Sequence, residues 1–203
     1  MTLLLFAKSF ALGLAVAAPV GPMSLLCMRR TLDQGWRAGA AAGLGVALGG
    51  AAYAAVAALG LAGLSAWLVA QQGPLRAAAG LGLVYLGLRT LLRRPATAAA
   101  PEPEAGSLKA VVGAFLLTLA NPPTIVMFAA LFTALAPPVG FDAAAAVTTT
   151  VGVFAGSLLW WAVVIAIVSI ARRGLEPGVR LWIDRLSGAV LVAFGAVQLA
   201  RAI

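Results

Sequence analysis

The stretch Ala18-Pro19-Val20-Gly21-Pro22-Met23-Ser24 interrupts a run of apolar residues that is otherwise long enough to cross a bilayer. In the second half of the chain the interruption returns as Ala120-Asn121-Pro122-Pro123-Thr124, again inside apolar sequence. Proline lacks the backbone donor and clashes with the carbonyl one turn back, so each motif is expected to break or kink its helix. In hydrocarbon a broken backbone survives only where protein packs on it or where it lines a cavity. Two breaks at matching places in two halves of a membrane protein point to a binding site between the halves.

Composition supports the bilayer as solvent. Of 203 residues, 63% are hydrophobic and only 10% charged, with a mean hydropathy of +1.04. A soluble globule carries about 25% charged residues, so lipid and neighbouring helices must supply the core of one domain spanning 1–203. The lone Cys27 excludes an intrachain disulfide and a CxxC redox pair, and the chain has no histidine. A structural zinc site is therefore not expected, and neither is any cofactor.

Six spans are expected, over 3–28, 38–66, 74–92, 109–135, 144–170 and 182–202, each near the ~20 residues that a ~30 Å hydrocarbon core requires. Apolar residues precede Lys8 and continue beyond Pro22, so the first segment reads as a retained span rather than a cleaved signal. Residues 93–108, rich in Ala and Pro with Glu102 and Glu104, read as a soluble linker.

The loops after spans one, three and five hold Arg29, Arg30, Arg37, Arg89, Arg93, Arg94, Lys109, Arg172, Arg173, Arg180 and Arg185. The other side has only Lys8, Arg76 and Arg201. The positive-inside rule makes the first set cytoplasmic and places both termini outside. The net charge of +8 is thus a topology signal rather than a nucleic-acid patch. Trp36, Trp67 and Trp182 fall at span ends, where amphipathic rings settle.

One constant offset takes Gly45, Val46, Gly49, Gly50 and Tyr53 to Gly152, Val153, Gly156, Ser157 and Trp160. A nearly equal one takes Gly80, Leu83, Val84, Gly87 and Leu91 to Gly188, Leu191, Val192, Gly195 and Leu199. The expected fold is therefore all-α, with six transmembrane helices in two three-helix repeats, 1–92 and 109–203, and spans one and four broken at their prolines. An odd number of spans per repeat forces the second copy to be inverted.

A helix restarting at Pro22 presents amides from Met23 and Ser24, which together with the helix dipole suit a carboxylate. Asn121 suits an N-cap ahead of Pro122, and Thr118 and Thr124 add hydroxyls nearby. The candidate substrate-binding set is Pro19, Gly21, Pro22, Met23 and Ser24 with Thr118, Asn121, Pro122, Pro123 and Thr124. Gly49, Gly50 and Tyr53, with their counterparts Gly156, Ser157 and Trp160, complete it. Plainer readings stand beside these: a structural kink at either proline motif, close helix packing at the glycines, and ordinary core packing at the aromatics.

The whole acidic inventory is Asp33, Glu102, Glu104, Asp142, Glu176 and Asp184, all in loops or at span ends. Proton relays and cation counter-ions inside a membrane normally need such groups within it. No nucleophile–base pair is evident either, so an enzyme is not expected.

Pro19-Val20-Gly21-Pro22 with Leu25-Leu26, then Arg29-Arg30-Thr31-Leu32 to Gly35 and Arg37-Ala38-Gly39, resembles the first-half signature of the LysE/RhtB-type amino-acid exporters. Ala57-Ala58-Leu59-Gly60-Leu61, Tyr85-Leu86-Gly87 and the segment Phe115 to Pro122 extend the resemblance over nearly the whole chain. It implies a secondary exporter of amino acids or similar zwitterions in the bacterial inner membrane, driven by the proton motive force. The implied partners are a small-molecule substrate and the lipid bilayer, with a homodimer left open and no nucleic acid. Relatives commonly carry an Asp where this chain has Gly50, and often a lysine where it has Pro123. The first departure disfavours a strongly cationic cargo such as lysine, and it keeps open a non-transporting scaffold or an uncoupled relative. A membrane redox relay would need paired cysteines, and metal-ion export would need ligands the chain lacks.

Overall fold

The computed structural model describes residues 2–18, 21–59, 72–92, 108–121, 124, 128, 142–174 and 177–202. The linker 93–107, the tails 60–66 and 129–135 of two expected spans, Trp67, and Pro19, Pro122 and Pro123 lie outside the described residues. Among those described, the chain is helical throughout: α1 (Thr2–Ala17), α2 (Pro22–Gln34), α3 (Trp36–Ala58), α4 (Gln72–Leu91), α5 (Leu108–Leu119), α6 (Ala143–Ala171) and α7 (Pro177–Ala200), with a 3₁₀ turn at Arg172–Gly174.

α3 and α6 are each long and apolar enough to cross a membrane, and α1 with α2 forms a third candidate span bent by 79°. α5 and the Arg185–Ala200 part of α7 are shorter apolar helices. Leu81, Tyr85, Val147, Val151, Ile167 and Leu186 are exposed. Apolar outer faces on this scale suit lipid, not water.

Local chemistry explains the ends. α2 starts at Pro22, whose missing N–H falls where a helix has no intrahelical acceptor for it, and Gly21 ahead of it is extended (φ −135°, ψ −171°). α2 runs beyond the expected limit at Met28 to Gln34, supported by an Arg29–Asp33 ion pair at 3.6 Å one turn apart. Gly35 then closes it with φ +95°, its N–H donating to the Thr31 carbonyl at 3.1 Å. At this φ any L side chain would be strained whatever the space around it, so glycine suits the turn. α3 follows directly and runs to Ala58; the rest of the expected span, to residue 66, lies outside the described residues. α6 begins at an Asp142 cap, whose carboxylate accepts from the Ala145 N–H at 2.7 Å.

Glycines set the helix contacts. On α6, a Cβ at Gly152 would meet Ser9 Cβ, Phe6 O and Phe10 N of α1, and one at Gly156 would lie 2.0 Å from Phe10 O. On α3, a Cβ at Gly45 would meet Val111 O, Ala114 Cβ and Phe115 N of α5. One offset takes Phe6, Ser9 and Phe10 to Val111, Ala114 and Phe115, just as the repeat takes Gly45 to Gly152. α4 and α7 pack on each other by the same logic. Gly80 faces the Gly195 carbonyl and Gly195 the Gly80 carbonyl, while Gly87 and Gly188 exchange the same contact. These approaches need bare backbone on both partners, as helix association in lipid favours.

Candidate functional site

Each of α3 and α6 carries two adjacent stripes at one-turn spacing. Gly45, Gly49 and Tyr53 turn to α5 and the segment after it: a Cβ at Gly49 would lie 2.7 Å from Thr118 Cβ, and the Tyr53 hydroxyl donates to the Leu119 carbonyl. Val46 and Gly50, one residue round the helix, face a cavity instead. On α6 the packing stripe is Gly152 and Gly156, and the cavity stripe is Val153, Ser157 and Trp161. The offset that relates the packing stripes also relates Val46 to Val153 and Gly50 to Ser157.

The cavity holds about 250 Å³. Gly13, Val16 and Ala17 of α1 and Phe194 of α7 complete two of its walls. Its remaining wall is where the two interruptions meet: Gly21, Pro22, Met23 and Ser24 from the first, Thr118, Asn121, Thr124 and Phe128 from the second. The start of α2 therefore opens onto the cavity. Near that start the Leu25 N–H reaches the Gly21 carbonyl at 3.1 Å.

Across from them the chain leaves α5 by two tight bonds, Asn121 N–H to Thr118 O at 3.1 Å and Thr124 N–H to Asn121 O at 3.0 Å. Asn121 Nδ2 donates to Thr124 Oγ1 at 2.8 Å, which fixes the amide and leaves its carbonyl oxygen as an acceptor. Thr118 Oγ1 donates to the Ala114 carbonyl at 2.8 Å and offers the cavity only lone pairs. Among the described residues that line the cavity, none has an ionisable side chain. Trp161 is only 2% exposed, and its indole Nε1–H, shielded from solvent and cavity alike, has no hydrogen-bond partner among the described residues. An orphaned buried donor costs roughly 1–3 kcal/mol.

Of the residues singled out from the sequence, Gly21, Pro22, Met23, Ser24, Gly50, Thr118, Asn121, Thr124 and Ser157 line the cavity. Tyr53 stands behind it, its ring stacked on Phe128 at 5.7 Å. Gly49 and Gly156 serve helix contacts, and Trp160 packs partly buried against the core without lining the cavity. Its neighbour Trp161 takes that wall. Sequence reasoning missed Trp161, although its one-turn spacing from Ser157 and Val153 held the signal. Nothing in the sequence marks Phe194 or Phe128. Tyr53→Phe removes the donor to Leu119 and is expected to cost ~0.5–1.5 kcal/mol, read as a lower unfolding temperature in detergent.

A protein-family model, LysE type translocator, matches residues 14–202. No curated protein and no solved structure matches the chain.

Proposed function

The chain belongs to the LysE type translocator family, and from that premise we propose that it is a secondary active exporter of small amino-acid-like carboxylates, working by alternating access. It is an integral membrane protein of the transporter class, and the family implies export of amino acids or similar compounds. The observation that carries the finer reading is the meeting of both proline interruptions on one cavity whose described lining has no ionisable side chain. The cargo's carboxylate lies near the first turn of α2, where the helix dipole favours negative charge. Its other end lies near Asn121 and Thr124.

Six spans in two inverted repeats give this site its symmetry, and the paired contacts of α3 on α5 and α6 on α1 support that arrangement. Rocking of one repeat against the other opens the cavity alternately to each side. Basic loops face the cytoplasm, both termini face out, and the membrane is the bacterial inner membrane. With no acid inside the spans, coupling to the proton motive force runs through water, backbone or a boundary acid such as Asp33.

The test compares metabolites in the medium of cells with and without the protein, followed by flux in vesicles. A carboxylate-bearing metabolite accumulating only with the protein is the expected result. No difference, together with no flux under any imposed gradient, would leave a non-transporting membrane scaffold. Selectivity is open to a direct probe as well. A Cβ at Gly50 would lie 3.6 Å from Phe128, an ordinary van der Waals contact, on the cavity wall. Gly50→Asp is expected to shift preference toward cationic amino acids by about tenfold in competition assays, since it adds the counter-charge the cavity lacks.

A further inference from the structure

Away from the central cavity, a smaller one of about 60 Å³ opens at the basic ends of α2 and α4. Arg29, Arg30 and Asp33 of α2 and Arg89 of α4 line it, together with Leu26 and Leu86. Among these described residues three positive charges share the space with one negative charge. Arg29 is 9% exposed and meets Asp33 at 3.6 Å through Nε. Arg30 is half-buried and Arg89 exposed, so the arginines run from the interior to the outer surface. Arg172, beyond α6, brings a fourth guanidinium to the end of α2, its Nη1 2.8 Å from where a Cβ on Gly35 would stand.

We propose that this pocket binds the phosphate of an anionic phospholipid of the phosphatidylglycerol kind, whose acyl chains lie along the outer face of α4. The inference does not depend on what the central cavity carries.

Electrostatics gives the first reason. Like charges gathered at short range repel, and a buried guanidinium gives up hydration that hydrogen-bonded anionic partners restore best. A single carboxylate has two oxygens to divide among three arginines. A phosphate diester adds a negative charge and oxygens in the geometry that guanidinium forks match. The volume, about twice a water's share of the liquid, admits one such group and excludes an amino acid.

The surroundings point to lipid rather than to a free anion. Leu81, Tyr85 and Leu88 are exposed at one-turn spacing on α4, an apolar stripe ~10 Å long that ends beside Arg89. Trp36 is exposed at the same end, with the Arg37 guanidinium 5.9 Å from its ring centre, a pairing suited to the headgroup level. Basic pockets between helix ends at this level hold lipid head groups. An acyl chain on the stripe and a phosphate at Arg89 belong to one molecule if that molecule is a phospholipid.

The experiment places the purified full-length protein in phosphatidylcholine vesicles. Electron spin resonance then measures how strongly spin-labelled phosphatidylglycerol and phosphatidylcholine of the same chains associate with it. Phosphatidylglycerol is expected to associate about tenfold more strongly, since choline offsets the phosphate charge of the other lipid. Arg30→Gln and Arg89→Gln spare the buried Arg29. Each is expected to lower the preference about threefold, and the two together to abolish it. Arg37→Gln removes a charge at the same end but outside the pocket, and is expected to leave the preference unchanged. Radiolabelled inorganic phosphate offered to the same vesicles is expected not to be retained. A phosphatidylglycerol with a photoreactive headgroup should label the unaltered protein near Arg30 and Arg89, which keeps the proposal testable should a variant fail to fold. Equal association of the two lipids, an equal loss of preference in Arg37→Gln, a preference that survives the paired substitution, retention of inorganic phosphate in place of lipid, or photolabelling only elsewhere would each overturn the proposal.

Discussion

Gly156→Ala is expected to cost about 2–3 kcal/mol, a large share of an ordinary folding stability, although alanine is the better helix former. The added Cβ would stand 2.0 Å from the Phe10 carbonyl oxygen, 2.9 Å from its carbon and 3.0 Å from Leu14 N. All three are backbone atoms of α1, so relief requires moving a whole helix. Gly45→Ala should behave alike, its Cβ lying 2.2 Å from Val111 O on α5. Gly113→Ala is the matched control: no heavy atom lies within 4 Å of the added methyl, and a gain of up to ~1 kcal/mol from helix propensity is expected. Thermal unfolding of the three variants in detergent, followed by size-exclusion, checks the order. A Gly156→Ala protein as stable as the Gly113→Ala protein would mean that α1 and α6 do not meet as described.

The second large effect falls on activity. Asn121→Ala is expected to reduce export below about a tenth of the unaltered rate while leaving a membrane-inserted protein of near-normal unfolding temperature. The side chain sits at the cavity, 9% exposed, with Nδ2 committed to Thr124 at 2.8 Å. Its loss removes an acceptor from the wall facing the start of α2 and frees the Thr124 hydroxyl to turn. Pro22→Ala probes the other interruption. It restores an N–H at the first position of α2 and lets the chain continue as helix through the break, so export should fall as far. Undiminished export by both variants, measured by the same comparison of medium and vesicles, would remove the site from these motifs.

The two effects divide between two stripes one residue apart, and that division marks where the sequence stopped being informative. Proline and glycine act through the backbone, so their consequences could be read without knowing any neighbour. The restart of α2 at Pro22 and the small faces at Gly45–Gly49 and Gly152–Gly156 follow from what those residues permit locally, whereas the run of α2 on to Gly35, past the expected limit at Met28, did not. The bilayer setting and the internal repeat were legible too, since they depend only on composition and spacing.

Trp160 and Trp161 show what did not follow. They are chemically identical, adjacent on an all-apolar helix, and separated by about 100° of rotation. α6 is apolar on every face, so periodicity assigns it no inside. Only the packing of Gly152 and Gly156 on Phe6 and Phe10, and of Gly43 on Trp161 itself, fixes the rotation of α6 that turns Trp161 to the cavity and Trp160 away. The sequence by itself determined where the backbone bends and where helices can touch. The tertiary structure decided which side chains face the space between them, because that choice rests on the rotation of whole helices against partners far away in the chain.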